Sequence, residues 1–117
     1  MKSLETFTNW LLKLFDKGPT YKWQRVEDLP DTLDRRTVYL VGDGPEPWSA
    51  SMVCPCGCGA RIALSLVKDD EPSWKARISP EGKVTLHPSV WCTKGCHSHF
   101  VLRDGRVRWA RAVVRRP

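Results

Sequence analysis

Near the start of the chain, Leu4, Phe7, Trp10, Leu11, Leu14 and Phe15 recur at helical spacing. The pattern predicts an amphipathic helix over 3–16 that docks its apolar stripe on a sheet, stopped by Gly18-Pro19. Residues 19–36 show neither period and, with their Pro and Asp content, read as an irregular connection. Beyond them the pattern turns to β. Thr37–Val41 is a β-branched run ending at Gly42-Asp43-Gly44-Pro45. Trp48–Val53 leads into a cysteine cluster and Arg61–Val67 leads out of it. Trp74–Ser79 and Lys83–His87 flank Ser79-Pro80-Glu81-Gly82, a hairpin turn.

The last hairpin is the most sharply specified. Asp104-Gly105 suits a two-residue type I′ turn, because both central positions need positive φ. That turn pairs Arg103 with Arg106, Leu102 with Val107 and Phe100 with Trp109. Phe100, Leu102, Val107 and Trp109 then share one face, while His99, Val101, Arg103, Arg106 and Arg108 share the other. Together these elements predict an α+β domain: an N-terminal helix on one antiparallel sheet of about six or seven strands. The expected organisation is helix at 1–18, connection at 19–36, β-rich domain at 37–110 and basic tail at 111–117.

Composition narrows the class. A chain of 117 residues, 41% hydrophobic and 27% charged, is globular and has room for one modest core. Its six tryptophans can bury much area, and each indole N–H then needs a partner. The net charge of +6 is concentrated at one end. From 103 onward six arginines face the single acid Asp104, so the rest of the chain is nearly neutral. The apolar stretch at the start runs to about a dozen residues, too short to span a bilayer. It carries Glu5, Lys13 and Asp16 and has no small-residue cleavage site, so no secretory signal is read there. The expected location is the cytoplasm, with no membrane partner. Thiols stay reduced there, so five cysteines point to metal or catalysis rather than disulfides.

Those cysteines form two clusters, Cys54-Pro-Cys56-Gly-Cys58-Gly and Cys92-Thr-Lys-Gly-Cys96-His97-Ser-His99. Zinc takes four tetrahedral sulfur or nitrogen ligands, usually from two separate turns. Glycines at 57, 59 and 95 let the backbone fold sharply enough to aim neighbouring thiolates at one centre. Cys54, Cys56, Cys58 and Cys96 would make a closed, structural all-sulfur site, with Cys92, His97 and His99 as alternates. An open site with a water could instead be catalytic. Three catalytic metal patterns are absent: His-Glu-x-x-His, a Ser-x-x-Asp following His97-Ser-His99, and the nucleobase deaminase pair.

Five segments in one order carry a resemblance: Cys54 to Gly59, a Trp74 segment, Thr85 to Val90, Cys96-His-Ser-His-Phe100, and Gly105 to Trp109. The order resembles a bacterial domain-of-unknown-function family encoded beside ubiquitin-like proteins and relatives of ubiquitin-activating and ubiquitin-conjugating enzymes. It covers roughly residues 37–110 and leaves out the helix at 3–16 and the arginine tail. The resemblance implies a zinc-containing peptidase or isopeptidase that processes or removes a ubiquitin-like protein. Its implied partners are that protein and its activating and conjugating enzymes. The family pattern omits Cys92 and His97, which favours Cys96 and His99 for essential roles.

For such hydrolysis the residues offer Ser89 as nucleophile and His99 as general base. Ser89 follows Pro88 at a strand end, where a side chain can stand exposed, and His99 opens the next strand. A zinc-stapled loop between them could bring the two within the roughly 3 Å that proton transfer needs. Asp69, Asp70 and Glu71 are candidates for an orienting acid. Two other readings stand beside this one. A zinc-stapled binding module would grip its partner through exposed tryptophans such as Trp48 or Trp91. A nucleic-acid-binding zinc ribbon would use the arginine tail, but the near-neutral body argues against an extended basic footprint.

Overall fold

The computed structural model describes residues 17–92 and 96–110, and every regular element among them is a strand. In chain order these are β1 (Lys17–Thr20), β2 (Lys22–Val26), β3 (Thr37–Val41), β4 (Ser49–Val53), β5 (Arg61–Ser65), β6 (Lys75–Ile78), β7 (Val84–Trp91), β8 (His99–Arg103) and β9 (Arg106–Trp109). They form a five-stranded sheet, β1-β9-β8-β7-β6, and a four-stranded sheet, β2-β3-β4-β5. Among the described residues no helix is long and apolar enough to cross a membrane.

The α+β expectation is therefore corrected. The described chain is all β, in two sheets rather than one, and β2 pairs with β3 in parallel. The helix expected over 3–16 lies outside the described residues, as does the 111–117 tail. The physical reason lies in which surface covers the apolar side of each sheet. Val84, Leu86, Val90, Phe100, Leu102 and Val107 of one sheet join Val38, Leu40, Ala50, Met52, Ile62 and Leu64 of the other in one buried cluster. Each sheet is thus the other's cover.

The 19–36 stretch, expected to be irregular, contains half of β1 and all of β2. Gly18 and Pro19, expected to stop a helix, stand inside β1. Their pairing partners explain why no local pattern announced them. β1 adds antiparallel to β9 at the far end of the chain, and β2 is a half-exposed edge without a clear period. The connection from β2 to β3 folds Leu33 over Tyr39 and Val41, so β3 is buried on both faces. A strand covered on both faces reads as the continuous Thr-Val-Tyr-Leu-Val run seen here.

The β8–β9 hairpin has the predicted pairs Arg103 with Arg106, Leu102 with Val107 and Phe100 with Trp109. Asp104 and Gly105 both take positive φ, 50° and 78°. Gly105 also ties three segments together. Its N–H donates to the Val84 carbonyl and its own carbonyl accepts from the Tyr21 N–H, both at 2.6 Å. A Cβ there would come within 2.9 Å of the Tyr21 oxygen.

Candidate active site and metal centre

Ser89 sits in a bulge. β7 and β8 pair Leu86 with Leu102 and Val90 with Phe100, so four steps along β7 are matched to two along β8. The surplus, His87 to Ser89, leaves the regular ladder, and a bulge of this kind re-aims a side chain. Pro88, which donates no N–H, is tolerated at such a position. The Trp74 indole N–H donates to the Ser89 carbonyl at 3.1 Å and holds the bulged backbone from outside the strand.

His99 begins β8 directly opposite Trp91. The two rings stack with centroids 4.7 Å apart and planes 7° from parallel. The His99 Nε2 lies 2.8 Å from the Ser89 Oγ. Backbone bonds lock the base of the ring: Cys92 N–H to the Ser98 carbonyl at 2.7 Å and Ala110 N–H to the His99 carbonyl at 2.9 Å. For Nε2 to accept the serine proton, a neutral imidazole carries its own hydrogen on Nδ1. That Nδ1 is buried, with no hydrogen-bond partner among the described residues. Asp69, Asp70 and Glu71 are all exposed, and Asp70 accepts from the Ser65 hydroxyl instead. Among the described residues the arrangement is a Ser–His pair whose ring is stacked on an indole and meets no carboxylate.

Cys54, Cys56, Cys58 and Cys96 converge, with all four sulfurs within 4.8 Å of one another. The Cys54 Sγ lies 3.6 Å from that of Cys56 and 3.5 Å from that of Cys96. Four sulfurs about 2.3 Å from one zinc would stand roughly 3.8 Å apart, so the spacing fits a single tetrahedral ion. The backbone is shaped for this. Gly57 and Gly59 take φ of 96° and 84°, and the Cys54 N–H closes the loop on the Ala60 carbonyl at 2.8 Å. The Ala60 N–H points at the Cys58 Sγ at 3.4 Å, a donor suited to a thiolate. The Tyr21 hydroxyl donates to the Val53 carbonyl at 2.6 Å and fixes the strand that enters the cluster.

The thiols of this cluster are unlike one another. Burial pushes the Cys54 thiol well above its ordinary range. The Ser98 hydroxyl, then the Ser98 N–H and the Cys56 and Cys54 thiols, hold Cys96 down to about 5 against the opposing effect of burial. A divalent cation bound here would take the cysteines as thiolates and displace their protons. Held by four sulfurs, it would leave no ligand position for water and would act as a clamp.

Of the sequence candidates, the structure gathers the four named cysteines in one place and Ser89 with His99 in another, three residues along from Cys96. Cys92 stays in the hydrophobic core and His97 is exposed, so neither alternate joins the sulfur cluster. His99 is engaged with Ser89 instead. Sequence reasoning missed Trp74 as the clamp on Ser89. It named Trp91 only as an exposed anchor. Trp91 is indeed 54% exposed, but one face of its ring is spent on His99.

No solved structure matches the chain. Among curated proteins, it is 29% identical over 90 residues to one named Beta-ketoacyl-[acyl-carrier-protein] synthase III, from Chlorobium phaeovibrioides (strain DSM 265 / 1930). The match covers 77% of this chain but only 27% of that protein, so the activity in that name is not carried over. A family model matches residues 25–110, which hold seven complete strands and the end of β2, the Ser–His pair and all four clustered cysteines. By that match the chain belongs to the family of the bacterial ubiquitination-like system serine protease, BubE.

Proposed function

We propose that the protein is a peptidase or isopeptidase that trims a bacterial ubiquitin-like precursor or removes the modifier from its targets. Ser89 is the nucleophile and His99 the general base. The observation that carries this reading is the 2.8 Å contact between Ser89 Oγ and His99 Nε2. Ser89 Oγ attacks the scissile carbonyl as its proton passes to His99 Nε2. The imidazolium then protonates the departing amine, leaving an acyl group on Ser89. A water molecule, deprotonated by the same nitrogen, releases the acid and restores the hydroxyl. The Trp91 ring keeps Nε2 in the plane of attack through all four proton transfers.

Zinc at Cys54, Cys56, Cys58 and Cys96 has a structural role in this reading. It ties the 54–60 loop to the segment that leads into His99 and so sets where the base stands. The family name, which couples a serine protease to a ubiquitination-like system, supports the substrate class.

The test is cleavage of a precursor form of a ubiquitin-like protein encoded in the same system. Ser89→Ala and His99→Ala should each lower kcat by about a thousandfold or more. A fluorophosphonate should label the parent protein at Ser89 and leave Ser89→Ala unlabelled. If either variant cleaves like the parent, the serine mechanism is wrong. Tight binding of the precursor with no turnover would make the chain a binding module.

A further inference from the structure

Beside the Ser–His pair runs a groove of about 500 Å³ with Trp74, Trp91, Cys92 and the Ala60–Leu64 stretch on its walls. Its two tryptophans are the ones already in contact with the pair: Trp74 holds the Ser89 carbonyl and Trp91 stacks on His99. One wall is β5, the edge of the four-stranded sheet, with which no other strand pairs on that side among the described residues.

The ladder decides what β5 offers the groove. The bonds at its two ends, Cys54 N–H to Ala60 and Leu66 N–H to Trp48, join even-numbered positions. In an antiparallel pair the bonded positions alternate, so Ile62 and Leu64 point their backbone groups at β4. Arg61 and Ala63 therefore turn their N–H and C=O groups outward. Ser65, next in that series, does send its carbonyl outward, to the Trp74 N–H at 2.8 Å. On the facing wall, β6 stops pairing with β7 at Lys75 and His87, and beyond that point, among the described residues, the Trp74 indole rather than a strand meets the β7 backbone at Ser89.

We infer that this groove binds the substrate as an extended peptide, added as a further strand to the β5 edge with the bond to be cut brought to Ser89. This rests on the peptidase reading above. An outward row of N–H and C=O groups at Arg61 and Ala63 is complementary to a second extended backbone and to little else. A folded surface cannot reach those groups between two indoles. An extended chain can, and the flanking rings then contact its side chains. Recognition through backbone groups makes the site tolerant of side-chain sequence and demanding about conformation.

Two measurements test the inference, after fluorophosphonate labelling of the parent at Ser89 has established the nucleophile. The first is Ala63→Pro, which deletes one outward N–H at an edge position where proline is accepted. Its cleavage of the precursor should fall about tenfold, with zinc content and circular dichroism unchanged. The second is a scan of N-methyl groups along a six-residue peptide ending at the cleaved bond. Inhibition should weaken at every second position, the period of a paired strand. A parent that labels, with a scan that shows no period-two pattern, overturns the inference and leaves the Ser–His reading standing. If Ala63→Pro folds and cleaves within twofold of the parent, the inference is overturned likewise. If Ala63→Pro loses its fold, the scan decides alone. A parent that neither labels nor cleaves removes the peptidase reading and this inference with it.

Discussion

At the scale of single residues, two indoles hold the Ser–His pair: Trp91 stacks on the His99 ring and Trp74 donates to the Ser89 carbonyl. A carboxylate on Nδ1 would orient the imidazole and stabilise its charged form. Among the described residues the buried Nδ1 has no such partner, and the Trp91 face supplies orientation, with some cation–π support once the ring is charged. Trp91→Ala should therefore lower kcat about tenfold or more with little change in folding stability, since half of that side chain is exposed. Trp91→Phe should restore most of the rate, which steady-state kinetics on the precursor would read. A Trp91→Ala variant as fast as the parent would show that the stack orients nothing. Away from the site, burial raises the Tyr21 hydroxyl to about 12, although Arg36 beside it opposes the shift. An unfolded tyrosine ionises near 10. Between those values the unfolded chain has released a proton that the folded one keeps, so stability falls as pH rises from about 10 to about 12. In Tyr21→Phe that part of the alkaline slope should disappear in urea titrations run at successive pH values.

At the scale of elements, two short pieces of backbone do more than their length suggests. The bulge in β7 turns Ser89 out of the ladder, and the Asp104-Gly105 turn joins Tyr21 between β1 and β2, the start of β7 and the β8–β9 hairpin. Gly105→Ala meets two penalties, a positive φ and a Cβ set against the Tyr21 carbonyl. It should cost about 2 kcal/mol or more in urea-induced unfolding. Gly44, with open space around its Cβ position and no positive φ, is the control, and Gly44→Ala should be nearly neutral. Elements were legible in the sequence where pairing was local. The β8–β9 hairpin could be read to the residue because turn chemistry and alternation agree within a dozen positions. β1 and β2 could not, because the strands that pair with them set their conformation and no pattern of their own does.

For the whole molecule, the cysteine cluster joins β4 and the 54–60 loop of one sheet to the loop that enters β8 of the other. A metal there would staple two layers otherwise held by a modest core. The purified protein should contain one zinc per chain, and strong chelation should lower its unfolding free energy by several kcal/mol. Refilling with cobalt(II) should give the thiolate charge-transfer bands of a tetrahedral four-sulfur site. Cys56→Ser should abolish stoichiometric binding, whereas Cys92→Ala should keep it, because Cys92 sits in the core and outside the cluster. A metal-free protein unchanged by chelation would refute the clamp. The sequence by itself determined the chemistry available: which sulfurs could meet, that Ser89 and His99 could pair across a stapled loop, and the last hairpin. Short-range turn geometry and ligand preference act between near neighbours and leave a readable pattern. Only the tertiary structure decided that a second sheet covers the first, that a bulge aims Ser89, and that the Trp91 ring stacks on His99. Each of these depends on which distant surfaces meet, and nothing in a local run of residues encodes that.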